Sequence, residues 1–335
     1  MHIEFISVVM AVFSLLLLAV PGFVLQKVGL LHNRASDVLS NIVLYFCQAA
    51  MLFMGFQGCP YSPDLLVNIF ITAGVSVFLF GICSILVSVL IKNKNDSKVL
   101  RVVRCASVFG NCGFMGIPFL LTLFKNEPQS VIGEILIYSS ILITAFNIFN
   151  WTVGVYFQSH DKKQISIKKI LLNPVIITIF ISMLLFFIVQ KPLKDVFIEN
   201  SILDRITTEV MDCLGVFSDM VTPLSMMVIG IKLASVNLKQ LFCNKWAYVA
   251  CFLRLIVFSA IGMFAVAFLP ISEVIKYVVF FLFSMPCAAS TVMFAVKFDS
   301  DSQTASVIVV LSTIFSIVSI SVMFLAFSGL LNLIG

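Results

Sequence analysis

The sequence predicts an all-α integral membrane protein with ten transmembrane helices. Of its 335 residues, 61% are hydrophobic and only 11% are charged, and the mean hydropathy is +1.12. A soluble domain is about 45–50% apolar. Because one bilayer crossing needs about 20 mostly apolar residues, the apolar runs divide the chain into ten spans with short polar joints between them.

The ten spans follow one another along the whole chain. They cover residues 3–25, 37–57, 65–91, 99–124, 131–158, 170–190, 214–236, 246–269, 274–297 and 304–331. Between the sixth and seventh spans, residues 191–213 alternate charges with apolar residues at near-helical spacing. That pattern is typical of a short helix on the outer membrane surface.

Basic residues are concentrated in alternate joints. The joints after spans one, three, five, seven and nine contain most of the 21 lysines and arginines, with Lys232 assigned to the joint after span seven. Cytoplasmic joints are enriched in such residues, so we expect a plasma-membrane protein with both termini outside. The N-terminus lacks the basic stretch of a secretory signal, so the first span is predicted to be retained. The abundance of Phe, Ile, Asn and Lys favours a bacterial source, and no nucleic-acid partner is expected.

The cytoplasmic joint 159–169 divides the chain into two halves of five spans, residues 1–158 and 170–335. Since five is an odd number, the halves enter the membrane in opposite directions and form inverted repeats. The fourth span contains Pro118, and the ninth, which is the fourth of its own half, contains Pro286 at a similar depth. Broken helices at matching positions of two inverted halves indicate a transporter site at the membrane midplane.

The fourth span contains the segment GNCGFMGIP, residues 110–118. Proline removes an amide donor and glycine permits unusual backbone angles, so we expect the helix to open between Asn111 and Pro118. In a bilayer, unpaired backbone groups are tolerated only where protein or a water-filled cavity receives them. The N-termini of the two half-helices would then offer partial positive charge to an anion. The alternative is a kink that serves helix packing alone.

Polar and small residues of three spans form the set of candidate substrate-binding residues. These residues are Asn111, Cys112, Gly113, Gly116, Pro118, Asn147, Pro286, Ser290 and Thr291. Asn147 could instead link neighbouring helices, and the small residues after Pro286 suit plain helix packing as well as substrate approach.

Three charged residues are candidates for a charge or coupling role. Arg254 lies inside the eighth span, where it could attract an anion, neutralise Asp219, or bind backbone carbonyls at helix ends as a brace. Asp219 and Glu134 are possible proton carriers, or ordinary solvated groups near the interface.

Enzyme and metal-site motifs are missing from the sequence. It contains no Walker loop, nucleophile elbow, zinc-protease motif or dinucleotide fingerprint. The nine cysteines form no C-x-x-C pair, and the three histidines lie at the terminus or in joints. We therefore expect no catalytic activity, no cofactor and no metal site.

The segment at residues 110–118 resembles the fourth-helix signature of the auxin efflux carrier family, which includes plant auxin exporters and bacterial permeases for organic acids. Further similarities extend over nearly the whole chain: Asn173-Pro174, Pro223-Leu224 with Gly230 and Leu233, Leu253-Arg254-Leu255, and Met285-Pro286 with Ala295.

The resemblance implies a homodimeric transporter of small organic anions that works by an elevator-like mechanism. Helices one, two, six and seven would form the scaffold, and helices three to five and eight to ten the moving domain. The substrate carboxylate would be received where the broken fourth and ninth helices cross, by Asn111 and by the backbone around Gly113 and Pro118. Asn147, four residues before Trp151, matches a further polar residue of the site.

Two departures from the family pattern limit this comparison. Gln48-Ala49-Ala50-Met51 stands in the second helix where Pro-Ala-Leu is common, and the cytoplasmic joint is short.

Two alternative functions are a sodium-coupled symporter of the bile-acid type and a non-transporting membrane receptor.

Overall fold

The computed structural model describes residues 3–32, 34–59, 61–93, 95–199, 201–235 and 244–334. Within these ranges the regular secondary structure is helical. The helices are α1 (Phe5–Lys27), α2 (Ala35–Gln57), α3 (Pro63–Leu90), α4 (Lys98–Val108), α5 (Cys112–Leu123), α6 (Gln129–Ser159), α7 (Ile167–Leu171), α8 (Pro174–Val189), α9 (Ile202–Ser235), α10 (Lys245–Ala267), α11 (Glu273–Ser284), α12 (Ser290–Lys297) and α13 (Ser302–Ile334).

Eight helical segments in the described part of the chain are long and apolar enough to cross a membrane: α1, α2, α3, α6, α8 together with the residues up to Asp195, α9, α10 and α13. Their bounds lie close to the predicted spans, because helix-capping residues stand at the polar joints. Ser62, Asn173, Asn244 and Ser272 each accept a hydrogen bond from a backbone amide in the first turn of the helix that follows. The protein is therefore a multi-pass membrane protein.

The sixth and seventh spans differ in detail from the prediction. α8 begins at Pro174, behind the cap Asn173, so the predicted start at residue 170 falls in the separate helix α7. The helix predicted at 191–213 begins later, at Ile202, and continues through a turn residue, Met220, into the rest of α9, which ends at Ser235. Residue 236, the predicted end of the seventh span, lies outside the described residues.

Helix α1 packs closely against the second part of α9, Val221–Ser235. Gly22 of α1 faces the backbone of Met227, and Gly230 of α9 faces the backbone of Ala19 and Phe23. A Cβ atom at either glycine would overlap the backbone of the opposite helix. Small residues allow such close approach in membrane helices, so these two glycines hold α1 and α9 together.

Two interruptions separate pairs of short helices. α4 ends at Val108 and α5 begins at Cys112; α11 ends at Ser284 and α12 begins at Ser290. The predicted opening between Asn111 and Pro118 is wrong in its position: the chain is interrupted at residues 109–111, and from Cys112 a π-helical turn runs directly into the α-helix that begins at Ile117. Pro118 is the seventh residue of α5 and directly follows its π-helical turn, Cys112–Gly116.

Candidate functional site

The two interruptions meet in a short antiparallel contact, which we call the crossing (residues 109–111 and 285–289). Gly110 pairs with Cys287 as an isolated β-bridge. The Asn111 amide donates to the Pro286 carbonyl over 2.7 Å, and the Ala288 amide donates to the Phe109 carbonyl over 2.8 Å. The interrupted backbone is thus partly satisfied by backbone from the other interruption, as burial in a membrane requires.

Arg254 of α10 binds the carbonyl ends of both short helices that lead into the crossing. Its Nη1 donates to the Val108 carbonyl at the end of α4 over 2.8 Å. Its other nitrogens donate to three carbonyls at the end of α11, those of Met285 (2.9 Å), Phe283 (2.8 Å) and Leu282 (3.4 Å). The residue is only 1% exposed. Of the three roles considered from the sequence, these contacts are those of a brace.

The glycines at residues 110, 113 and 116 provide space, not unusual backbone angles. The expectation that they need conformations closed to other residues is wrong, because none of them has a positive φ. A Cβ at Gly110 would overlap the guanidinium of Arg254, and one at Gly116 would overlap Leu282. Gly113 lies against the buried amide of Gln48, whose Nε2 would be 2.9 Å from an added Cβ.

A narrow cavity lies between α9 and the crossing. It is lined by Asn111 and Phe114 of the first short-helix pair, Ala289 of the second, Val228, Ile229, Lys232 and Leu233 of α9, and Val309, Val310 and Thr313 of α13. Asn111 and Ala289 are the residues that directly precede α5 and α12. The cavity therefore adjoins the N-terminal ends of both short helices.

Among the predicted site residues, only Asn111 lines this cavity. It is 7% exposed, and its side-chain amide makes no hydrogen bond to another described residue. Cys112 is turned away, with its thiol 3.4 Å from the Leu282 carbonyl. Asn147 lies elsewhere and links α6 to α8, because its Oδ1 accepts a hydrogen bond from Asn173 (3.3 Å).

The residues predicted after the second interruption surround the crossing but do not line the cavity. Pro286 supplies the carbonyl for Asn111, and the Thr291 carbonyl accepts from Gln158 over 3.3 Å. Ser290 has a buried hydroxyl without a hydrogen-bond partner among the described residues. A residue that the sequence did not single out, Ser312 of α13, accepts the amide hydrogen of Cys287 over 3.1 Å.

The two candidate carboxylates lie outside the crossing. Glu134 of α6 is half-buried and accepts a hydrogen bond from Tyr138 over 3.2 Å. Tyr138 in turn accepts one from Asn68 of α3. Asp219 is exposed, next to the turn residue Met220 of α9, and Arg254 donates to backbone carbonyls instead.

Lys232 is the main residue of the cavity that the sequence prediction missed. It was assigned to a cytoplasmic joint, although it stands between Ile231 and Leu233, inside the predicted seventh span. That position within the span was the available signal. Phe114 and Thr313 gave no signal, because aromatic and hydroxyl residues are common throughout the spans.

Known proteins are similar to this chain over nearly its full length. Residues 7–324 match the model of a family described as membrane transport protein. The chain is also 25% identical over 317 residues to an uncharacterized transporter of Methanocaldococcus jannaschii, which covers 92% of this chain and 96% of the relative. These matches indicate a transport protein and not an enzyme. The chain belongs to the membrane transport protein family, the auxin efflux carrier-like family that its motifs resemble.

Proposed function

We propose that this transporter carries small organic anions, mono- or dicarboxylates, through the cavity beside the crossing. The observation that carries the proposal is the position of the cavity: it adjoins the starts of α5 and α12, through Asn111 and Ala289. Helix N-termini have partial positive charge and favour anions, and the amide of Asn111 can donate to a carboxylate.

The brace formed by Arg254 supports this preference for anions. The C-terminal ends of α4 and α11 have partial negative charge, which would oppose an anion at the crossing. Arg254 donates to the carbonyls of both ends, and so compensates that charge with a buried cation. The positive ends of α5 and α12 then dominate the field in the cavity.

The proposed transport mechanism is elevator-like alternating access. In this arrangement the pair α4/α5 spans the membrane once, and so does the pair α11/α12. Together with the eight long helices they give ten transmembrane segments in two inverted halves. One cavity wall belongs to α9, which packs on α1 as a candidate scaffold, while the opposite wall belongs to α5, α12 and α13. A substrate site between two such bodies suits a movement of one against the other. The homodimer and the plasma-membrane location are proposed from the family resemblance.

The direct test is a counterflow assay in proteoliposomes with labelled carboxylic acids, at several pH values and with or without sodium. We expect uptake of at least one carboxylate in the absence of sodium. Uptake that requires sodium would favour the sodium-coupled alternative. Carboxylate binding without flux would favour a receptor, and neither binding nor flux of any acid in the panel would contradict the proposal.

Replacing Asn111 tests the position of the site. Asn111→Ala should weaken carboxylate binding by about tenfold, the loss of one hydrogen bond to a charged group. Its backbone bond to Pro286 does not involve the side chain, so thermal stability should change little. Asn147→Ala is the matched control, an asparagine outside the cavity, and should bind carboxylates like the wild type. Unchanged affinity of Asn111→Ala would remove this residue from the site.

A further inference from the structure

We infer that Lys232 is the residue that pairs with the carboxylate of the substrate and gives the cavity its selectivity for anions. This inference rests on the proposed function. Lys232 lies near the end of α9 and lines the cavity together with Asn111 and Thr313. It brings a full positive charge to a wall that is otherwise made of apolar and neutral polar residues.

Placing the charged ammonium of Lys232 against an apolar wall costs free energy, which an oppositely charged partner would offset. It is half-buried, and its neighbours Val228, Ile229 and Leu233 form an apolar wall. Within the described residues it forms no ion pair within 4.0 Å. A charged group in a membrane span is expensive and marks a functional position by default. A substrate carboxylate in the cavity would supply the missing partner.

Arg254 cannot fill this role, although it is the more obvious cation in the sequence. Its guanidinium nitrogens already donate to carbonyls at the ends of α4 and α11, and its side chain is buried behind Gly110. Arg254 does not line the cavity, whereas Lys232 does. The two cations therefore have separate tasks: Arg254 holds the crossing together, and Lys232 is available to the ligand.

Among the described carboxylates, Asp37 is the one near enough to attract the Lys232 ammonium. It lies in the first turn of α2, which packs against the second part of α9, and it is exposed. An exposed carboxylate beyond ion-pair distance is a weak competitor. Removing the Asp37 carboxylate should therefore strengthen the attraction between Lys232 and a substrate anion.

The experiment compares Lys232→Gln, Lys232→Arg and the control Lys27→Gln in the counterflow assay, with labelled acetate, succinate and indole-3-acetate as probes. Lys27 also ends a membrane helix, but its ammonium lies over the ring of Phe23 at 5.8 Å and does not line the cavity. Each variant is checked by thermal unfolding. If Lys232→Gln does not fold, Lys232→Met replaces it.

Lys232→Gln should weaken binding of each transported acid by at least about tenfold, as expected for loss of a partly buried charge pair. It should also reduce the preference for an acid over its uncharged amide, measured by competition. Lys232→Arg should recover part of the affinity, Lys27→Gln should match the wild type, and Asp37→Asn should bind about twofold more tightly.

The outcomes separate this inference from the proposed function. A wild-type protein that neither binds nor takes up any of the acids would overturn the proposed function and this inference with it. Carboxylate uptake in the wild type, with an unchanged preference for acid over amide in Lys232→Gln, would overturn the inference alone.

Discussion

The two interruptions of the crossing have similar surroundings but different compositions. Each follows a short helix, of 11 residues for α4 and 12 for α11. The first interruption contains Gly110 and Asn111, whereas the second contains Pro286 and no glycine. The first gives Arg254 the space beside Gly110, and the end of α4 that leads into it gives the Val108 carbonyl. The second gives Arg254 the carbonyl of Met285, and the end of α11 that leads into it adds those of Leu282 and Phe283.

This difference indicates a division of roles between the two interruptions. The first has the one side-chain amide that faces the cavity, that of Asn111, while the second contributes only Ala289 to the cavity wall. A similar order of elements in the two halves therefore does not imply similar chemistry. The first interruption provides the polar side chain at the cavity, and the second, with the end of α11, provides most of the carbonyls that Arg254 binds.

The largest effect on stability is expected for Arg254→Gln, which affects both interruptions at once. The substitution removes hydrogen bonds to buried backbone carbonyls, which then have no donor. We therefore expect a loss of about 3–5 kcal/mol in the free energy of unfolding. The measurement is thermal and denaturant unfolding in detergent, with and without carboxylate. The control is Arg205→Gln, because Arg205 is exposed on α9. A loss seen only in the presence of substrate would refute the role as a brace.

A smaller effect is expected for Gly110→Ala, which acts on the first interruption. The new methyl group would overlap the Arg254 guanidinium, so the side chain or the backbone must shift, at a cost of about 1–3 kcal/mol. Gly74→Ala is the control, because it adds the same methyl group at a position with open space. Gly74 lies in α3 with no atom within 4 Å of an added Cβ, so this change should stabilise the helix by up to about 1 kcal/mol. Equal effects of the two substitutions would argue against the close contact with Arg254.

The smallest effect is expected for Ser312→Ala, which acts on the second interruption. Ser312 accepts the amide hydrogen of Cys287, and its loss leaves that buried donor unpaired, at about 1–2 kcal/mol. Ser316→Ala is the matched control, because the Ser316 hydroxyl donates to the Thr313 carbonyl in its own helix and caps no amide of the crossing. Equal stability of the two variants, measured by thermal unfolding, would mean that Ser312 does not support the second interruption.

Much of the fold could be predicted from the sequence because its signals are local. An apolar run of about 20 residues between polar joints is recognisable without any knowledge of neighbours. Capping residues such as Ser62, Asn173 and Ser272 set the starts of helices within a few residues. The start of α9 was missed because the amphipathic pattern of residues 202–219 is that of a surface helix, whereas this segment also packs against α2.

The site was less predictable because its contacts join distant parts of the chain. Glycine and proline indicated an interruption near residue 110, but its bounds depend on Pro286 and Arg254, which are far away in sequence. Asn111 and Asn147 are both amides within spans, and only the packing shows that one faces the cavity and the other links two helices. Lys232 was misjudged because a count of basic residues cannot give the depth of a side chain in the membrane.

The contacts of Arg254 have a mechanical consequence. One side chain from α10 fastens the ends of α4 and α11, so pulling the two interruptions apart would break several charge-assisted bonds together. Opening the cavity by splitting the crossing is therefore the costly route. A movement of α4, α10 and α11 as one rigid body along α1 and α9 would leave every one of those bonds in place.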